Sequence, residues 1–137
     1  SGTTREHGES LVAHARVKLR AGDQKGAATL AGAALELAHD GSGTTPAEAN
    51  LVLATITLDL EGNASAQLRT AHEQLDSLDR PVFGSDRQAA RCWRELGDLY
   101  GRAGSRAQQT AAYRKALEAA GVRSAMAGVT VGATVSH

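Results

Sequence analysis

The stretch RCWRELGDLYGRAGSRAQQTAAYRKALEAAG, residues 91–121, decides how the chain is read. Trp93, Leu96 and Tyr100 recur at three- and four-residue steps, so they share one face of a helix. Gly104 stands where that period stops, at the place a left-handed C-terminal residue is wanted. Ser105-Arg106-Ala107-Gln108 then has the form of a capping box with Gln in the Glu position. A second helix follows, carrying Tyr113, Ala116 and Leu117. So short a turn leaves the two helices only one arrangement, antiparallel.

The same punctuation recurs upstream. Thr45-Pro46-Ala47-Glu48 reads as a capping box with proline in the first turn, and Ser85-Asp86-Arg87-Gln88 has the same form with Gln. Asp23 and Asn63 each follow a glycine and are placed to cap. Gly22, Gly62 and Gly104 lie 40 and 42 residues apart, a self-similarity on the scale of a helical repeat. Six helices are therefore expected, near residues 5–21, 23–40, 45–61, 63–80, 85–103 and 105–121. Loops at 39–44, rich in Gly and Ser, and at 80–84, with Pro81, separate three pairs. The fold class is all-α: three stacked antiparallel helix pairs, at about 8–40, 45–80 and 85–121. Residues 1–7 are expected as a flexible N-terminus and 122–137 as a flexible or docking tail.

Composition agrees. Aromatics are few, with one Trp, two Tyr and one Phe. Ala, Leu and Val supply most of the apolar content and favour helices over strands. Each pair is amphipathic and too small to be stable alone, so stacking is what buries a continuous core. Lys plus Arg equals Asp plus Glu at 15 each, which argues against a dedicated nucleic-acid binder. The charge is unevenly placed: residues 46–84 hold two basic and six acidic side chains, residues 85–137 eight and four. One cysteine, Cys92, allows no internal disulfide and suits a cytoplasmic setting. No apolar run approaches the ~20 residues of a membrane span. The chain opens Ser-Gly-Thr-Thr without Met, as a fragment or a processed chain would.

Trp93, Leu96-Gly97, Tyr100, Gly104, Tyr113, Ala116 and Leu117 together resemble a tetratricopeptide repeat. Gln109 departs from it, standing where that family has a small Ala, and Gly121 stands near where Pro often ends the unit. The first pair is similar in its second helix, through Gly22-Asp23, Ala27, Ala31 and residues 34–38. The second keeps Leu51, Leu58, Gly62-Asn63 and Ala71. The resemblance covers residues 8–121 and implies an α-solenoid that binds a protein or peptide. The Ala-, Gly- and Arg-rich style also resembles the C-terminal regulatory parts of actinobacterial helix–turn–helix transcription regulators.

In such a stack the first helix of each pair lines the concave surface. The resemblance then places Glu9, Val12, Arg16 and Arg20 there from the first, Val52, Ile56 and Asp59 from the third, and Arg91, Arg94, Asp98 and Arg102 from the fifth. Spacing alone puts Arg87, Arg91, Arg94, Asp98 and Arg102 in one stripe. This describes a groove with an apolar floor and arginine walls, suited to an acidic side chain or C-terminal carboxylate, which the planar guanidinium pairs bidentately. The alternative is a solvated face with internal pairs such as Arg94–Asp98, each contributing only ~0.3–0.5 kcal/mol.

Nothing in the sequence points to catalysis, a cofactor or a metal. His7 and His14 are two turns apart, and His39 and His72 lack partners at ligand spacing. No nucleophile elbow surrounds a Ser, and Gly41-Ser42-Gly43 has no phosphate-loop Lys. Cys92 reads as packed, although Arg91 and Arg94 beside it would lower its pKa. Ala112, Ala116, Leu117 and Ala120 leave an apolar face on the last helix, to be covered by the tail through Met126 and Val129, by a second copy or by another domain. Two functions follow from different classes: a peptide-binding regulatory module, and a structural homo-oligomerisation domain with an empty groove.

Overall fold

Helix ends in this chain are set by local chemistry. In a computed structural model that describes residues 2–39, 42–78 and 86–121, the described residues form six helices and no strand. They are α1 (Gly2–Arg20), α2 (Gln24–Glu36), α3 (Thr45–Glu61), α4 (Ser65–Asp76), α5 (Arg87–Arg102) and α6 (Arg106–Ala119). The chain is all-α, and each pair packs within itself and onto the next.

Two turns are built alike. Gly22 and Gly104 take φ of 88° and 83°. The amides of Asp23 and Ser105 then reach back to the carbonyls of Lys18 and Tyr100, both at 2.9 Å. This closes the orphan carbonyls at the ends of α1 and α5. Gly62 ends α3 in the same left-handed region, at φ 76°, with its amide on Leu58 O.

Several boundaries differ from expectation, each for a visible reason. Residues 2–7, expected as a flexible N-terminus, belong to α1. Thr45 is inside α3 and the N-cap is Thr44, so the expected capping box does not form; the Thr44 hydroxyl instead donates to the Glu48 carboxylate at 2.7 Å. The cap of α5 is Asp86, whose carboxylate accepts from Ala89 N at 3.0 Å. Ser85, expected in that role, lies outside the described residues, as do the 80–84 loop and the 122–137 tail. Asn63 bonds Ser65 N, one residue ahead of the Ala64 cap. Helix α2 stops at Glu36 because the following chain turns, with Ser42 N on His39 O and His39 N on Ser42 Oγ.

Helix α3 is central. Nine of its residues are buried, on every side, which marks a helix enclosed by others rather than one with a single apolar face. Val52, Ile56 and Ala49 pack with Val12 and Ala15 of α1 and with Ala27, Ala31 and Ala34 of α2. Leu51, Ala54 and Leu58 pack instead with Leu68, Ala71 and Leu75 of α4 and with Trp93, Leu96 and Tyr100 of α5. Asn50, 7% exposed, is satisfied by Gln74 Oε1 and Pro46 O. Small residues set the spacing elsewhere: a Cβ on Gly97 would come within 2.6 Å of the Tyr113 ring, so α6 approaches α5 only because position 97 has none.

Candidate functional site

The first helices of the three pairs, α1, α3 and α5, line a cleft of about 470 Å³. Helix α1 contributes Glu9, Val12, Ala13 and Arg16; α3 contributes Thr45 and Glu48; α5 contributes Gln88, Arg91, Cys92, Arg94, Glu95 and Asp98. Of the expected groove residues, the cleft therefore unites Glu9, Val12, Arg16, Arg91, Arg94 and Asp98.

The apolar floor is not there. Val52 and Ile56 are 1% and 7% exposed, sealed under α1 and α2 within the core. The surface α3 shows to the cleft is its N-terminal end, Thr45 and Glu48. The physical reason is that α1 lies against the middle of α3, so the groove-facing side inferred from the resemblance is covered. Arg20 and Arg102 also lie outside this cleft. Arg20 is exposed at the end of α1. Arg102 is held by Asp59 at 2.5 Å, and Asp59 accepts also from Gln24 Nε2, which links α2, α3 and α5.

Arg16 is the hub of the cleft. Its Nη1 and Nη2 each donate to one oxygen of Glu95, both at 3.0 Å, across a sequence separation of 79. The Glu48 carboxylate lies 3.5 Å from Nη2. Burial pulls the Arg16 pKa down, but the hydrogen bonds and charge of Glu95, with Glu48, outweigh it, and the net shift is upward. One guanidinium thus faces two carboxylates from different helices. Glu48 reads from sequence only as a capping partner. Glu95 had a signal, lying one turn after Arg91 on the striped face of α5.

Arg91 and Arg94 are exposed, and no described residue forms a hydrogen bond or ion pair with either. The expected Arg94–Asp98 pair is absent among the described residues. Asp98 accepts instead from the Tyr113 hydroxyl, and that bond raises the Tyr113 pKa. Cys92 lies behind the cleft, 3% exposed. Its thiol is pushed up to about 12, first by burial and then by Glu48 and Glu95, which outweigh Arg16. The lowering expected from Arg91 and Arg94 does not occur.

On the other side of α5, His72 Nδ1 meets the Tyr100 hydroxyl at 2.9 Å and Nε2 lies 3.4 Å from Asp76. The imidazole stands edge-on to Trp93, and Lys115 caps that ring. His72 and these aromatics join the second pair to the third. Among the described residues no three His, Cys, Asp or Glu side chains converge on a metal position, and no helix is long and apolar enough to cross a membrane. No protein-family model matches the chain, and no curated protein or solved structure matches it either.

Proposed function

We propose that this chain is a helical-repeat module that binds a peptide or a protein segment in the α1–α3–α5 cleft and catalyses no reaction. The observation that carries the reading is the pair Arg91 and Arg94: two exposed guanidinia one turn apart, at the edge of a cleft, with no hydrogen bond or ion pair among the described residues. A carboxylate, from an acidic side chain or a C-terminus, is the group their planar forks accept. The resemblance to tetratricopeptide repeats supports the same use of the surface. In this proposal the module is cytoplasmic and serves as the regulatory or sensing part of a larger bacterial protein such as a transcription regulator.

The test is fluorescence anisotropy with a fluorescein-labelled pool of octapeptides, each carrying two Glu residues and a free C-terminal carboxylate. Arg91→Ala/Arg94→Ala is expected to weaken binding at least about tenfold, with helical circular dichroism unchanged, since charge-assisted hydrogen bonds contribute roughly 1.5–3 kcal/mol each. Affinity for the pool is also expected to fall with added salt. Equal affinity of variant and parent removes the assignment.

The second reading is a structural homo-oligomerisation domain. What favours it is Leu117 on the last helix, 45% exposed beside the partly buried Ala116.

A further inference from the structure

One arginine of the cleft already holds a carboxylate. Arg16 and Glu95 make the two parallel N–H···O bonds that an arginine offers to a ligand acid. The helices that carry them, α1 and α5, do not pack against each other, because α3 lies between them. The pair is therefore a strap of side chains from the first repeat to the third, drawn across the cleft. Water reaches both ends, at 27% and 31% side-chain exposure. Both ends of the pair are therefore within reach of a ligand, whose carboxylate can offer Arg16 the same two-bond geometry that Glu95 does.

We infer that Glu95 is a built-in competitor for the ligand: it occupies Arg16, and a peptide with two carboxylates takes Arg16 from it while its other carboxylate meets Arg91 and Arg94. This deepens the binding reading above and rests on it. The exchange conserves charge at Arg16, since one carboxylate replaces another. Glu48 stays beside the guanidinium throughout, 3.5 Å away, and keeps it in place when Glu95 leaves. The ligand class is thereby narrowed to segments with two acids spaced to reach α1 and α5 together, and the free cleft is latched by its own residue.

Glu95→Gln keeps the shape of the side chain and removes the charge. The same two-Glu octapeptide pool is expected to bind E95Q about five- to tenfold more tightly than the parent. The double variant Arg16→Gln/Glu95→Gln is expected to lose that gain. Without peptide, hydrogen exchange along α1 is expected to rise in E95Q, because the strap is gone. Glu95→Asp, which keeps the charge but shortens the reach, is the second variant should E95Q fold poorly, with the same direction of change expected. A parent that binds the pool through Arg91 and Arg94, with E95Q no tighter, leaves the binding reading standing and overturns the latch. A gain that survives in the double variant reduces it to general charge removal and overturns it too. Unchanged α1 exchange in E95Q overturns the strap. Failure of both proteins to bind the pool overturns the latch and the binding reading together.

Discussion

Cys92 shows how far a side chain's neighbours in space outrank its neighbours in sequence. Arg91 and Arg94 flank it along the chain, yet helical geometry turns their guanidinia outward while the thiol points into the core. There it meets Glu48 and Glu95, and its pKa rises to about 12. Iodoacetamide at pH 8 is therefore expected to leave Cys92 unmodified in the native protein and to alkylate it promptly in guanidinium, as mass spectrometry would read. A thiol whose pKa is higher folded than unfolded favours the folded state while protonated. That contribution is complete below the ordinary value of 9.0 and is lost as pH climbs from there toward 12. Cys92→Ala is expected to flatten this alkaline loss; an unchanged slope would assign it to other groups, such as Tyr100, whose pKa burial also raises. Gln109 shows the same dependence on what lies opposite. Its side chain lies over Gly101 and donates to the Tyr113 hydroxyl at 3.3 Å.

Among the helices, caps separate what sequence form promises from what geometry delivers. Asp86 and Ser105 both occupy N-cap positions, but only the Asp86 side chain bonds a backbone amide. Asp86→Ala is expected to cost about 1 kcal/mol, a fall of roughly 3–6 °C in Tm for a domain of this size. Ser105→Ala is expected to shift Tm by under about 1 °C, because it removes no cap bond. Equal losses in thermal melts would contradict the assignment. Helix α3 carries the larger lesson. Its buried residues lie around the helix, and an enclosed helix shows no single apolar stripe from which to infer a groove-facing side. That is why Val52 and Ile56, placed on the concave surface by analogy, are core residues.

Taken as an assembly, the stack exposes large apolar side chains at Val17, Leu60 and Leu117, on three different helices. Single exposed residues of this kind are ordinary on monomers. Multi-angle light scattering is expected to give the chain's own mass, 14.2 kDa, even at high concentration; twice that mass would move the weight to the oligomerisation reading. The number of helices, their pairing and their turns were legible in the residues, because capping, glycine conformation and apolar period act within a few positions along the chain. So was the stripe of arginines on α5. What no local pattern held was which charges find partners: Arg16 with Glu95 across 79 positions, Arg102 with Asp59, Asp98 with Tyr113 and not Arg94. Those pairings depend on how closely α1 approaches α3 and α5 approaches α6, and those distances are properties of the packed core, set by small residues such as Ala15, Ala49 and Gly97, not of any one helix.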